Sequence, residues 1–249
     1  MNMKIAIVDT RIDHAAQRKL SLLGYHVLTL PPFSRLSEAV ASHADMLIAR
    51  LGDELISYAD YCEEASYIFS DLSLLTRGTG VRFTLTADEA GADYPGDVAL
   101  NALRMGDKLF CRRASASEAL LRSAEKLGLE IVDVKQGYPA CTVLKLSDSA
   151  VITADRGMAS ILEKHGIRVT LIKQGGISLP PHEYGFIGGA AERDGDNLYF
   201  FGDPATHPDA DRITAAAHAE GLRIVPLCAG GLRDLGGIVF AEIGKADLY

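Results

Sequence analysis

The sequence contains no apolar run near the ~20 residues that a membrane-spanning helix needs, and the expectation is a chain that does not enter a bilayer. It has no surplus of basic residues. Lys and Arg number 25 against 33 Asp and Glu, a formal net charge of −8, which removes the electrostatic footprint expected of a nucleic-acid partner. Its four cysteines, Cys62, Cys111, Cys141 and Cys228, form no C-x-x-C pair, so a zinc knuckle has no support. No G-x-G-x-x-G follows the first apolar segment, where Asp9-Thr10-Arg11 stands instead, and there is no P-loop. No metal centre and no cofactor are therefore expected. The start, Met1-Asn2-Met3-Lys4-Ile5-Ala6-Ile7-Val8-Asp9, lacks the apolar stretch and cleavage site of a signal peptide. A cytoplasmic protein with free thiols is expected.

What is present is a repeat. Leu22-Leu23-Gly24-Tyr25-His26-Val27, Lys126-Leu127-Gly128-Leu129-Glu130-Ile131, Lys164-His165-Gly166-Ile167-Arg168-Val169 and Ala219-Glu220-Gly221-Leu222-Arg223-Ile224 share one pattern, with a weaker copy at Thr79-Gly80-Val81-Arg82-Phe83. Each glycine suits the left-handed cap that ends a helix, and the alternation after it has the period of a strand. Ser115-Ala116-Ser117-Glu118 and Thr206-His207-Pro208-Asp209 read as capping boxes. Asp155 reads as the cap of a helix whose inner face is Met158, Ile161 and Leu162. A further strand precedes each helix: Lys4 to Val8, Asp107 to Cys111, Ala150 to Thr153 and Asn197 to Phe201.

Upstream of these strands lie extended segments with polar or reactive residues. They are His43-Ala44-Asp45-Met46-Leu47, Tyr94-Pro95-Gly96-Asp97-Val98, Tyr138-Pro139-Ala140-Cys141-Thr142-Val143 and Leu232-Arg233-Asp234-Leu235. The glycine-rich Tyr184-Gly185-Phe186-Ile187-Gly188-Gly189 takes that place in one unit. The unit is strand, strand, helix, strand, recurring every ~40–55 residues. The first copy lacks its leading strand and the chain ends with a spare one, Arg233 to Phe240. A tail strand that completes the first unit would close a ring and remove sheet edges. The fold expected is α/β: a five-fold pseudo-symmetric ring of strand–strand–helix–strand units in a single domain over residues 1–249. An open doubly wound sheet is the plainer alternative.

Five such units, tail closure and polar residues on the leading strands resemble the pentein fold of guanidino-group-modifying enzymes. That fold includes arginine deiminase, dimethylarginine hydrolase and amidinotransferases, together with non-catalytic ribosome anti-association factors. The segments at Tyr94–Ala102, Gly137–Thr142, Ile152–Asp155 and Tyr184–Gly189 resemble an uncharacterised bacterial family of this fold. The resemblance implies a cysteine nucleophile on the closing tail, a histidine in an H-x-D motif two units before it, and acidic residues that grip a guanidinium. Here the tail position holds Asp234 and the histidine position holds Pro139.

A rotated set keeps the chemistry. His43-Ala44-Asp45 supplies an H-x-D, and Cys141 lies two units later. Cys141 would attack an amidine carbon, His43 would relay protons with Asp45 orienting it, and Asp97 and Asp234 would hold a cation by charge-assisted hydrogen bonds. Asn101, Arg233 and Gly188 join the set as ligand-facing positions, Asn101 because it follows Asp97 by four, and Gly188 because glycine lets a ligand approach the backbone. Cys228 is a substitute nucleophile close to the tail. The partner expected is a small cationic molecule, with no nucleic acid and no membrane; a homo-oligomer is left open. Two classes of function stay open: an enzyme acting on the C–N bond of a guanidine or amidine, and a non-catalytic binding module that kept the fold.

Overall fold

The computed structural model describes residues 3–77 and 79–243. In chain order the first unit contains β1 (Met3–Asp9), α1 (His14–Leu22) and β2 (Tyr25–Leu30). The second contains α2 (Ala44–Leu47), β3 (Ile48–Leu51), β4 (Glu54–Tyr58), α3 (Ala59–Glu64), α4 (Ser66–Thr76) and β5 (Arg82–Thr86). The third contains β6 (Leu103–Met105), β7 (Lys108–Cys111), α5 (Glu118–Lys126) and β8 (Glu130–Asp133). The fourth contains α6 (Pro139–Thr142), β9 (Val143–Ser147), β10 (Ala150–Thr153), α7 (Arg156–Lys164) and β11 (Arg168–Leu171). The fifth contains β12 (Ile177–Ser178), β13 (Ala191–Asp194), β14 (Asn197–Phe200), α8 (Ala210–Ala219) and β15 (Arg223–Pro226), and the tail adds β16 (Leu232–Arg233) and β17 (Val239–Ile243).

Among the described residues five three-stranded sheets share one topology. The middle strand pairs antiparallel with its leading strand and parallel with the strand after the helix: β3-β4-β5, β6-β7-β8, β9-β10-β11 and β13-β14-β15. In the first sheet β1 pairs parallel with β2 and antiparallel with β17, with Ile5 opposite Ala241 and Ile7 opposite Val239. The tail strand thus completes the first unit.

Local chemistry explains these elements. Gly24, Gly128, Gly166 and Gly221 end their helices at φ between 67° and 92°, a region that costs glycine little. Ser117 Oγ accepts from Leu120 N, and Asp155 accepts from Met158 N, so α5 and α7 are side-chain capped. The second expected capping box is not one: Thr206 ends a short 3₁₀ turn, and Asp209 stands at the start of α8 without a capping bond from its side chain. The helices bury one stripe each, Met158, Ala159 and Leu162 on α7 and Ile213 and Ala217 on α8. The middle strands carry much of the core, with Ile5, Ile7, Leu55, Ile56, Leu109, Phe110, Val151, Ile152, Leu198 and Phe200 at 0–1% exposure.

The leading strands start later than the sequence suggested. His43 to Asp45, Asp97 to Asn101, Pro139 to Cys141 and Gly185 to Gly189 all precede their strands, on turns or on one-turn helices. Pro139 opens α6, a position where its missing N–H costs nothing. The expected tail strand is likewise two pieces: β16 bridges β12, with Leu232 opposite Ile177, before β17 pairs with β1. Among the described residues no helix is long and apolar enough to cross a membrane.

Candidate functional site

The turns that enter the five leading strands are tied to one another. Asp45 N donates to Gly236 O at 3.1 Å, Gly237 N to Gly189 O at 2.9 Å, and Gly189 N to Cys141 O at 3.1 Å. Asn101 Nδ2 reaches Cys141 Sγ at 3.1 Å and Asp45 O at 3.3 Å, while Asn101 Oδ1 accepts from Ala140 N at 2.9 Å. One turn from each sheet takes part. The packing leaves no room for larger side chains: a Cβ on Gly188 would lie 2.7 Å from the carbonyl oxygens of Cys141 and Val143 and nearer still to that of Ala140.

Cys141 is 3% exposed. Its Sγ donates to Asp45 Oδ2 at 2.8 Å. Burial, then the charges of Asp45 and Asp234, push the thiol well above its ordinary value, so the thiol rather than the thiolate rests there near neutral pH. Asp45 is pushed up to about 7, chiefly by burial and then by Asp234, with the Cys141 hydrogen bond opposing the shift. Its Oδ1 is buried without a partner among the described residues.

His43 is 1% exposed and sits between two buried carboxylates, Nδ1 3.8 Å from Asp234 Oδ1 and Nε2 4.0 Å from Asp9 Oδ2. Those separations exceed hydrogen-bond length, and both ring nitrogens lack a partner among the described residues. Burial lowers the His43 pKa against the opposing pull of Asp234 and Asp9, so the ring is neutral near pH 7. Asp234 accepts from Phe186 N at 2.8 Å and Gly236 N at 3.2 Å, and burial raises its pKa. Asp9 is gripped by Arg11 through Nη2 at 2.5 Å and Nε at 3.0 Å and by the Arg11 backbone N at 2.7 Å.

The expected residues therefore divide. Asn101, Cys141 and Asp45 are joined by hydrogen bonds, His43 lies against Asp234, the two groups meet at Gly236, whose N donates to Asp234 Oδ1 and whose O accepts from Asp45 N, and Gly188 packs on the Cys141 backbone. The expectation that Asp45 orients His43 is corrected: Asp45 Oδ2 takes the thiol, and it is Asp9 and Asp234 that flank the imidazole. Asp97 stands apart. Tyr138 Oη donates to its Oδ2 at 2.6 Å, its Oδ1 is buried and has no partner among the described residues, and burial raises its pKa. It shares no strand face with Asn101, because both precede β6. Arg233 reaches away from the cluster to Asp13 at 2.9 Å. Cys228 lies outside the cluster too, partly exposed, with its thiol raised by burial. Asp9 and Arg11 are the residues that sequence reasoning passed over. Their signal was a charged pair at and just past the end of the first strand, after the apolar run Ile5 to Val8. Among the described residues no group of three or more His, Cys, Asp or Glu side chains is arranged to hold a metal ion.

A cavity of about 440 Å³ begins at Asp45, Ala140, Gly188, Gly236 and Gly237 and runs along the leading strands to their hairpin turns.

A model of the family described as "Family of unknown function (DUF6873)" matches residues 7–239. No curated protein matches the sequence. Solved structures do match in fold. One is a mutant of dimethylarginine dimethylaminohydrolase from Pseudomonas aeruginosa complexed with citrulline, 15% identical, TM-score 0.56, with 90% of each chain covered. A second is an amidinotransferase from Microseira wollei in the saxitoxin biosynthetic pathway, 12% identical, TM-score 0.56, covering 92% of this chain and 89% of that one. A third is an inosamine-phosphate amidinotransferase from Streptomyces griseus, 14% identical, TM-score 0.53, covering 86% of this chain and 73% of that one. These likenesses show a mixed α/β fold of the pentein type.

Proposed function

Because the chain belongs to the family of unknown function DUF6873, its activity has to be read from the site, and we propose that it binds a small cationic ligand of the guanidine, amidine or amine class at the cluster of His43, Asp45, Asp234 and Cys141. The observation that carries this reading is the unpaired buried set: both ring nitrogens of His43 and Oδ1 of Asp45 lack partners among the described residues. Buried polar atoms without partners cost free energy, and N–H donors on a cation would satisfy the acceptors among them. A cation also offsets the repulsion among Asp9, Asp45 and Asp234. The similar solved structures, one complexed with citrulline and two of them amidinotransferases, favour a ligand of guanidino type.

The arrangement of the domain is part of the proposal. The hydrogen bonds from Asp45 through Gly236, Gly237, Gly189, Cys141 and Asn101 back to Asp45 support a single domain of five units closed in a ring, with the cluster near its centre. A cytoplasmic location is consistent with four free thiols.

The chemistry depends on the ligand. With no cation present, Cys141 is held protonated by burial and by its carboxylate neighbours. A bound guanidinium would lower the thiol towards ionisation. The thiol would pass its proton to His43, neutral at rest, as the sulfur attacks the amidine carbon, and the imidazolium would give that proton to the departing amine as the C–N bond breaks. Water would release the carbon as a ureido group, or a second amine would take it as an amidino group. The second reading is a binding module with no turnover, favoured by the same raised thiol pKa.

The test is thermal-shift and calorimetric titration with a panel of guanidino, amidino and amino compounds, followed by assay of released amine. Saturable binding that is lost in Asp234→Asn supports the site. Binding retained in Cys141→Ala with turnover abolished makes Cys141 the nucleophile. Binding without turnover in the native chain selects the binding module. If no compound in the panel binds, the proposal fails.

A further inference from the structure

The end of the cavity opposite Asp45 has a different chemistry. It is ringed by Arg50, Arg104, Lys145 and Arg193, four cations on four successive leading strands. Three of them share a sequence device that the strand pattern alone does not call for: Arg50-Leu51-Gly52, Arg104-Met105-Gly106 and Arg193-Asp194-Gly195. In each, the arginine Nε donates to the carbonyl of the turn glycine two residues on, at 3.0, 3.2 and 2.8 Å. The other end of the side chain leans on the neighbouring unit. Arg50 Nη1 donates to Phe240 O of β17, Arg193 Nη1 to Leu146 O of β9, and Lys145 Nζ to Arg104 O of β6 at 3.1 Å.

These bonds hold the guanidinium groups in place without using them up. A guanidinium has five N–H donors, and two are taken in Arg50 and in Arg193. Among the described ion pairs, none takes up Arg104 or Arg193, and Lys145 is shared with the exposed Asp148 at 2.6 Å. The cations are concentrated around one opening of a protein whose net charge is −8. Self-repulsion of four positive groups around a cavity is a cost that an anion removes. Two carboxylates line this end of the wall: Asp148, held low chiefly by its hydrogen bond to Lys145, is exposed and would share that lysine with an anion, and Glu192 is pushed up to about 7 by burial even though Lys145 and Arg50 pull it down, so it opposes an anion only weakly near neutral pH.

We propose that the hairpin end of this cavity is an anion site, taking a compact group with two or more negative charges of the phosphate or pyrophosphate class, held by Arg50, Arg104, Lys145 and Arg193. The pre-set arginine forks suit phosphoryl oxygens, which accept paired N–H donors. A volume of about 440 Å³ accommodates a phosphorylated small molecule as readily as the inorganic ion. The site goes beyond the cation-binding reading. It is at the other end of the cavity, uses none of His43, Asp234 or Cys141, and stands if that reading fails.

The experiment is isothermal titration of inorganic pyrophosphate into the full chain at low ionic strength, with inorganic phosphate as the less charged comparison. One saturable site is expected, tighter for pyrophosphate and weakened at least tenfold by 0.5 M NaCl, the sign of an ion-paired ligand. Arg104→Gln and Lys145→Gln should each weaken binding about tenfold, a loss of ~1.4 kcal/mol. Glu192→Gln should tighten it, because a competing carboxylate is removed; this variant keeps all four cations and their interstrand bonds, so it remains informative if the basic variants fold poorly. Arg122→Gln, on the exposed face of α5, should change nothing. Absence of saturable binding, or equal affinity in the native chain, Arg104→Gln and Glu192→Gln, overturns the proposal. Loss of guanidine binding with pyrophosphate binding intact would separate the failure of one site from that of the other.

Discussion

Cys141 Sγ lies 2.8 Å from Asp45 Oδ2, and Asn101 Nδ2 approaches the sulfur at 3.1 Å. The thiol is thus a donor to a carboxylate and an acceptor from an amide, in a place where burial and two carboxylates hold it protonated. Alkylation with iodoacetamide, followed by mass spectrometry, should therefore find Cys141 slow near pH 7, with a rate still rising above pH 9. Asp45→Asn takes away a negative neighbour and should bring the reactive range of Cys141 down. Fast labelling of Cys141 at pH 7 in the native chain would contradict this placement of charge.

The same carboxylates make stability depend on pH. Asp45 and Glu192 are both raised to about 7 from 3.8 and 4.5. The folded state holds their protons more tightly than the unfolded chain does, so their contribution is fully present below pH 4 and is lost as pH rises through 7. At ~1.4 kcal/mol per unit, reduced because both side chains border a solvated cavity, Asp45 alone amounts to roughly 2–4 kcal/mol. His43 acts in the opposite sense: its pKa is lowered on folding, so acid below about pH 6.5 favours the unfolded chain. Urea titrations from pH 4.5 to 8 should show Asp45→Asn flattening the alkaline loss. An unchanged profile would mean that Asp45 is ionised in the folded protein.

Gly188 tests the packing of the turns. A methyl group there meets three backbone carbonyl oxygens that cannot swing aside. Gly188→Ala should cost ~3 kcal/mol, the upper range for overpacking. Gly231, whose Cβ position is open, should accept alanine within ~0.5 kcal/mol. Equal melting temperatures for the two variants would show that the turns yield more readily than their hydrogen bonds imply.

The architecture was legible because its signals are local. Helix-ending Gly24, Gly128, Gly166 and Gly221 and capping Ser117 and Asp155 act within a few residues, and the spare strand at the tail pairs with β1 as its pattern implied. The site was legible only in part. His43, Asp45, Asn101, Cys141 and Asp234 are chemically conspicuous on turns that recur in every unit, and the structure brings them together. Which carboxylate meets which partner was not legible, because it depends on how five turns from distant parts of the chain interlock. Asp45 and His43, two residues apart, face different neighbours, while Asp9 and Asp234 converge on one imidazole from opposite ends of the sequence. Arg233 is adjacent to Asp234 but faces Asp13, as alternation along an extended segment requires.

Asn101 ties three of these turns together, through Ala140 N, Cys141 Sγ and Asp45 O. Asn101→Leu fills similar space but leaves the Ala140 N–H without its acceptor, an expected loss of ~1–3 kcal/mol at any pH. Asn101→Asp keeps an oxygen for Ala140 N and replaces the donor to the sulfur with a carboxylate facing Asp45. In acid, where both carboxyls are protonated, this variant should be nearly as stable as the native chain. Above pH 7 it should fall below it, and its Cys141 should label more slowly still, since a further negative charge holds the thiol proton. Comparing the two variants by urea titration at pH 5 and pH 8 separates the hydrogen bond from the charge. A constant deficit in Asn101→Asp across that range would mean that Asn101 serves only as a backbone tie and leaves the protonation of Cys141 untouched.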